Sequence, residues 1–555
     1  MSFSFLSVLN RLGALRRLGQ GSTAACSLAL KPDGVVASRR HSPSYDSSSR
    51  LASGLDSGAI KRHFSPDKTL AWLCLLTSLW FGAGPTWAAP SNALKPCRQP
   101  GIPNEVLCGQ LTRPLNPLDA RSPLIEIHYV VLPALSRQKY SDPIFFLAGG
   151  PGQSAIDLAP QLAALWGRRN TRRDVVLVDQ RGTGRSAPLF CAEPGRSAMA
   201  DQSLGPQVAR LMTCRDELAH LPYVQGLSGL RWFTTSLAVQ DLDAVRKQLG
   251  VPRVNLVGGS YGTRVALEWL RQFPDTVRRV VLDGVAPPDM ALPDSSTQDA
   301  RAALEALLSA CEKEAACARK YPSLRADWGR LWRSMPQRVT VAHPVDGQRE
   351  TFTLTPDLLA AWVRGPLYVP SLASALPAAL TQAVAGRWES LVGLSAVLSA
   401  RQGADQVAMG MHFSVVCAED QPWVPRTAAP SGAEDWNRGA GELYAQVCAQ
   451  WPAGEVPASF KQVPASRSAV LILSGGLDPI TPPRHGQRMA EALGPMARHV
   501  VVPQAGHGLM GLGCMADVLM RFIDEAHDRA ALALNTACAE KIPRPLMFQP
   551  VEVPR

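Results

Sequence analysis

Residues 255–269 read NLVGGSYGTRVALEW. An apolar run, RVNLV at 253–257, meets GGSYG at 258–262. TRVALEWLRQF at 263–273 follows, with apolar side chains about one helical turn apart. The first run suits a buried strand and the last an amphipathic helix. Between them Ser260 sits in a G-x-S-x-G pattern. On a sharp strand-to-helix turn, small flanking residues let the chain close tightly and lift a serine hydroxyl clear of the backbone. Gly and Ser are also ordinary turn formers, so the pattern alone leaves a purely structural turn open.

Similar apolar runs surround this one: IEIHYVVLP at 125–133, PIFFLAGG at 143–150, DVVLVDQRG at 174–182, RVVLDG at 279–284, AVLILSGGLDP at 469–479 and RHVVVPQAGHG at 498–508. Their near-continuous hydrophobicity suits strands covered on both faces, with helical segments such as SLAVQDLDAVRKQLG at 236–250 between them. The fold class read from this alternation is an α/β sheet fold. The alternation stops after Asp283. Residues 285–465 turn mostly helical, interrupted by a small β-like patch at 337–355, and a clear strand returns at 469. This predicts a helical cap inserted between two strands of one sheet. The expected layout is a core over 90–284, a cap over 285–465 and the rest of the core over 466–555. The Pro-, Gly- and Trp-containing stretch 420–440 reads as surface loops.

A serine hydroxyl needs a base, and the base needs an orienting carboxylate. Asp478 lies just past AVLIL in SGGLDPITPP, and His507 just past RHVVV in PQAGHG. Ser260, Asp478 and His507 thus follow three strands in the chain order Ser, Asp, His expected when such a triad is built on this kind of sheet. Asp283, Asp420, His485 and His499 are the rival acids and bases. The oxyanion of an acyl-transfer intermediate needs two donors. One is the backbone N–H of Tyr261; the other comes from AGGPGQSA at 148–155, from Gly149 or Gly150, with Gln153 a further candidate. Pro151 has no N–H to offer. That loop lacks the G-K-[ST] ending of a phosphate-binding loop and the G-x-G-x-x-G of a dinucleotide turn, so a nucleotide is not expected there. In DQRGTGRSAP at 179–188, Asp179 and Arg181 read as loop-locking residues paired with each other.

The ends and the charge bound the remaining classes. KRHFSPDKTLAWLCLLTSLWFGAGPTWAAP at 61–90 has a basic start, an apolar core at 70–81 and small residues at Ala88 and Ala89, the pattern of an export signal over 61–89. Residues 1–60 read as a non-structural extension or a start assigned too early; an unusually long leader or an organelle presequence stays open. The mature chain is expected to have no stable membrane span and to be periplasmic or secreted. Of the formal charge of +11, +4 falls in residues 1–60 and +2 in 61–88. With no basic helix or finger spacing in the remainder, nucleic acid is excluded as a partner. Hydrophobic residues at 46% and charged ones at 19% are a globular balance. Oligomeric state is not legible. After residue 88 the cysteines are Cys97, Cys108, Cys191, Cys214, Cys311, Cys317, Cys417, Cys448, Cys514 and Cys538. They fall into five sequence-neighbour pairs, candidate disulfides for an oxidising compartment, without a CxxC. Spacing alone does not set the connectivity.

GGPGQSA, DQRGTGRS, GGSYGTR, LDGVAPP, SGGLDPITPP and GHG occur in this order across about residues 95–540. In these motifs the chain resembles exported α/β-hydrolases of the proline iminopeptidase and tripeptidyl aminopeptidase kind, with a TAP-like C-terminal portion. The resemblance implies a serine hydrolase acting on free peptide N-termini without metal or cofactor, with nucleophile, acid and base at Ser260, Asp478 and His507. In iminopeptidases a His precedes GGPG; here Ala148 does, a departure that fits the tripeptidyl type better. Esterases and amidases share that branch, so a small ester or amide is the alternative to a short peptide substrate. The resemblance also points to Glu419, with Asp420 beside it, as the carboxylate that binds the substrate amine. A solvated acidic turn, or a salt bridge pinning the cap, is the alternative. Trp423, Trp436 and Trp451 are candidates for an apolar pocket or for cap packing.

Overall fold

The computed structural model describes residues 94–192, 202–344, 346–399, 407–423, 436 and 438–550. The chain enters through β1 (Leu94–Cys97), β2 (Val106–Pro114) and β3 (Leu124–Leu132), an antiparallel group. Then come β4 (Ile144–Leu147), β5 (Val175–Val178), β6 (Val254–Gly259) and β7 (Val277–Asp283). A hairpin, β8 (Gln337–Ala342) and β9 (Arg349–Leu354), lies within the insertion, and β10 (Ala469–Gly475) and β11 (Ala497–Val502) close the series. Apart from the hairpin, these strands form one sheet in the order β1-β2-β3-β5-β4-β6-β7-β10-β11. From β5 to β11 every pairing is parallel.

The physical cause of this sheet is visible in β4. Phe145 and Leu147 pack into one apolar cluster, and Ile144 and Phe146 into another on the opposite face. A strand with no polar face must be covered on both sides. Trp269 covers Phe145 edge-on at 5.5 Å, and Trp166 covers Phe146 at 5.9 Å. Because β7 pairs directly with β10, the residues between Asp283 and Ala469 are an insertion into one sheet. Most of that insertion is helical and holds its own apolar cluster, including Leu307, Trp328, Trp362 and Leu376. Trp436 joins it, 5.4 Å from Trp328 and 6.0 Å from Trp332. Trp451 packs on Phe413 and donates to Ser414 Oγ. These two tryptophans are packing residues; the side chain of Trp423 and most of the stretch 420–440 lie outside the described residues.

Disulfides join Cys97–Cys108, Cys191–Cys214, Cys311–Cys317, Cys417–Cys448 and Cys514–Cys538, each a pair of sequence neighbours. Five such bonds suit an oxidising compartment. No helix among the described residues is long and apolar enough to cross a membrane. The proposed signal at 61–89 lies outside the described residues.

Candidate active site

The parallel register sets the site. Leu147 on β4 stands opposite Gly258 on β6, Gly259 opposite Asp283 on β7, and Asp283 opposite Leu473 on β10. The loops after β4, β6, β7, β10 and β11 therefore leave one edge of the sheet, the usual ligand edge of parallel α/β sheets. Ser260 is the first residue past β6, and the helix Tyr261–Gln272 starts directly after it. Its backbone lies at φ 55°, ψ −124°, a conformation that costs energy for any non-glycine residue. The turn leaves no room beside it. A Cβ on Gly258 would meet Gly262 O at 2.4 Å, and one on Gly262 would meet Leu147 O at 2.0 Å. The outer glycines of G-x-S-x-G are thus demanded by close backbone approach. Ser260 N donates to Asp283 O at 2.9 Å, tying the elbow to β7.

His507 and Asp478 meet as a buried pair. Asp478 Oδ2 accepts from His507 Nδ1 at 2.8 Å and from Thr481 Oγ1 at 2.8 Å. Asp478 Oδ1 accepts from the amides of Ile480 and Thr481, each at 2.9 Å. Burial opposes the charged carboxylate, yet His507 and these donors hold Asp478 below its usual range. Burial also opposes a charged His507, and the facing Asp478 outweighs it, so the imidazole is raised above 6.5. His507 N donates to Tyr368 O at 3.0 Å, and the two rings meet edge-on at 5.4 Å. A Cβ on Gly284, just past β7, would stand 3.1 Å from His507 Cε1, which places the imidazole against the strand end that anchors Ser260.

Around Ser260, Gly149 is in contact: a Cβ built on it would lie 3.3 Å from Ser260 Cβ. Gly150, at φ 116°, lines the same cavity as Ser260 and Tyr261. The Tyr261 N–H belongs to the first turn of its helix, where amides have no intrahelical acceptor. Gln153 Nε2 is buried and without a hydrogen-bond partner.

The rivals are occupied elsewhere. His485 Nε2 bonds Asp299 at 2.9 Å, and His499 Nε2 bonds Ser474 Oγ at 2.9 Å. Asp283 Oδ2 accepts from the amides of Leu509 at 2.7 Å and Met510 at 2.8 Å, so it braces the loop just past His507. The expected Asp179–Arg181 pairing does not form. Asp179 is filled by Ser154 Oγ and the amides of Ile156 and Arg185, while Arg181 forks onto Asp241 at 2.7 and 3.0 Å. Main-chain amides saturate the carboxylate, which frees the guanidinium for a partner on the helix Thr235–Gln248. Both residues still lock loops, but not through each other.

Glu419 and Asp420 end the helix Met409–Glu419 and are fully buried. Glu419 accepts from Thr235 N at 2.7 Å and Thr235 Oγ1 at 2.8 Å; Thr235 Oγ1 also lies 2.6 Å from Tyr261 Oη. Asp420 Oδ1 accepts from Arg264 Nη1 at 2.7 Å. Lys461 donates to the Glu419 carbonyl at 2.6 Å. Arg264 thus faces both carboxylates, 2.7 Å from Asp420 and 3.6 Å from Glu419. Burial pushes Glu419 up to about 7, against Arg264 and the Thr235 bonds. The cavity at Ser260 is lined by Tyr261, Arg264, Arg364, Tyr368, His412, Tyr444 and Thr481 among others, with neither Glu419 nor Asp420 on its wall. The acidic pair therefore sits one layer behind Tyr261 and Arg264.

With the geometry in hand, the alpha/beta hydrolase fold family matches residues 142–513. The chain belongs to that family. Within it, a tripeptidyl aminopeptidase of Streptomyces lividans is 30% identical over 199 residues, 34% of this chain and 36% of that protein. The match thus spans little more than a third of that relative. The serine protease Hip1 of Mycobacterium tuberculosis is 24% identical over 443 residues, covering 72% of this chain and 82% of Hip1. Among solved structures, the proline iminopeptidase of Mycobacterium smegmatis aligns at 15% identity with a TM-score of 0.35, over 76% of this chain and 100% of that one. What the family match shows is the α/β-hydrolase fold. Thr481, Tyr368, Arg264 and Thr235 are site residues that sequence reading missed. Only Thr481, three residues after Asp478 in the same loop, carried a local signal.

Proposed function

We propose that this protein is an exported serine hydrolase that cleaves short peptides from a free N-terminus through an acyl-enzyme. The observation that carries the chemistry is Ser260 on a strained elbow, at the same sheet edge as the buried His507–Asp478 pair. In this reading His507 Nε2 takes the hydroxyl proton as Ser260 Oγ bonds the carbonyl carbon. Asp478 holds the proton of Nδ1 in place and offsets the imidazolium charge. Amides of Tyr261 and of Gly149 or Gly150 hold the oxyanion. The C–N bond breaks as His507 returns the proton to the leaving amine, and water repeats the sequence to free the acyl group and regenerate Ser260. Peptide cleavage is supported by what the tripeptidyl aminopeptidase and Hip1 are named for. Export to the periplasm or beyond is supported by the signal pattern and the disulfides. The core is assigned to 90–284 and 466–555 and the cap to 285–465, supported by the direct pairing of β7 with β10.

One observation favours a second reading, an esterase or amidase on non-peptide substrates. Glu419 and Asp420 are withdrawn from the cavity wall and both face Arg264. The test uses protein beginning near residue 90 and matched alanine, proline and tripeptide amides with free and acetylated N-termini. Aminopeptidase action requires strong preference for the free amine. Equal turnover of blocked and free substrates selects the second reading. Ser260→Ala must abolish both, and a fluorophosphonate must label Ser260.

A further inference from the structure

Arg364 lies in the last turn of the cap helix Pro356–Leu367, in the run LLAAWVRGPLYV at 358–369. It is half-buried and lines the same cavity as Ser260, Tyr368 and Tyr444. Its charge opposes the rise that burial gives to both phenols. The other groups that could carry positive charge here are engaged. Arg264 is held by Asp420 and by the carbonyl of Met290 at 2.9 Å. Lys461 is held by two carbonyls at 2.6 Å. His412 bonds Tyr444 Oη at 2.9 Å, and burial lowers it to about 3, so it is neutral at ordinary pH. Arg364 alone, among the described residues lining this cavity, is a cation with neither an ion pair nor a hydrogen bond. No Asp or Glu side chain stands among the described residues that line it.

A guanidinium presents a planar fork that matches a carboxylate through two parallel N–H···O bonds. With one unmatched positive charge on the wall, the ligand that balances it carries one negative charge. A phosphate monoester, near −2 at neutral pH, would leave charge uncompensated. We infer that Arg364 binds a carboxylate of the substrate, so that the cavity selects small acyl compounds bearing one negative charge. This deepens the hydrolase reading and rests on it for the position of the scissile bond. In the peptide reading the carboxylate is the free C-terminus of a short peptide, and Arg364 becomes a ruler for chain length. In the ester or amide reading it lies on the acyl chain. Tyr368, four residues after Arg364, bonds the His507 backbone, so the anion site and the base share one stretch of cap.

The test compares matched pairs. p-Nitrophenyl hemiglutarate against p-nitrophenyl butyrate places the carboxylate on the acyl side. Trialanine against trialanine amide places it on the leaving side. For at least one pair, kcat/KM should favour the carboxylate about tenfold or more, the usual worth of a charge-assisted hydrogen bond. Arg364→Gln should bring that ratio within about twofold of unity, and Arg364→Lys, which keeps charge but not the fork, should retain part of it. A wild-type ratio near unity in both pairs, or a ratio unchanged in Arg364→Gln, overturns the proposal. A second readout needs no turnover. Glutarate should raise the melting temperature of the wild type and of Ser260→Ala, but not of Arg364→Gln. Absence of turnover on all four compounds refutes the hydrolase reading, while a glutarate shift lost in Arg364→Gln would still uphold the anion site. No shift in the wild type refutes the site itself.

Discussion

Replacing Asp478 by Asn tests the site most sharply, because the structure dictates which way the new amide turns. Asp478 Oδ1 accepts from the N–H groups of Ile480 and Thr481, both at 2.9 Å. If the Asn NH2 took that place, it would face two donors, leaving buried groups unpaired at a cost of about 1–3 kcal/mol each. The amide oxygen therefore faces the backbone, and the NH2 takes the place of Oδ2, facing His507 Nδ1 and Thr481 Oγ1. A donor there forces Nδ1 to accept, which moves the imidazole proton to Nε2. The nitrogen meant to receive the Ser260 proton then already carries one. In the serine protease used as the general template, the equivalent change lowers kcat by about 10⁴ with geometry intact. The same wrong tautomer here predicts a loss of about 10⁴, or roughly 5.5 kcal/mol in the barrier. Initial rates on a p-nitrophenyl ester, with circular dichroism to confirm folding, measure it. A folded Asn variant within tenfold of the wild type would refute the role given to Asp478.

Three further outcomes follow from the same contacts. Because Asp478 raises His507 above 6.5, and only neutral imidazole accepts the serine proton, kcat/KM should fall on the acid side through an apparent pKa above 6.5. A limb below 6.5 would contradict the pairing. Glu419 holds its proton up to about 7 when folded but only to 4.5 when unfolded, so the wild type loses stability as pH rises between those values. Glu419→Gln lacks that loss. Its stability relative to wild type should climb from pH 4.5 to 8 by on the order of 3 kcal/mol, read from urea midpoints, and a flat difference would count against the burial argument. Replacing Cys417 and Cys448 together by Ala removes a cross-link spanning 31 residues. It should lower stability by about 3–4 kcal/mol, while loss below 1 kcal/mol would mean that the unfolded chain is already constrained there.

The triad positions were legible because each follows a run with no polar face. Such runs read as central parallel strands, and parallel strands deliver their following loops to one edge. What sequence could not show is which distant segments converge. VVCAEDQPW displays its carboxylates openly, yet their partners Thr235 and Arg264 come from two separate stretches. Their withdrawal behind Tyr261 is a long-range fact with no local signal. The Asp179–Arg181 expectation failed for the same reason. Two opposite charges two residues apart look like a pair until main-chain amides claim one and Asp241 the other. Arg364 did carry a signal, as the only charge in the apolar run 358–369, but a lone Arg there reads equally well as a helix end. The swapped order of β4 and β5 was also invisible, since local periodicity records which faces are buried and not which neighbour lies beside them.

The bond from His507 N to Tyr368 O has a mechanical consequence. A cap that swung away as a rigid lid would carry that carbonyl with it and strip the amide of the base's own residue of its acceptor. Gly506 allows no slack, for even a Cβ there would stand 2.4 Å from the same carbonyl. Moving Tyr368 away from the sheet edge would therefore cost this bond, about 0.5–1.5 kcal/mol, and leave the residue that carries the base less firmly seated.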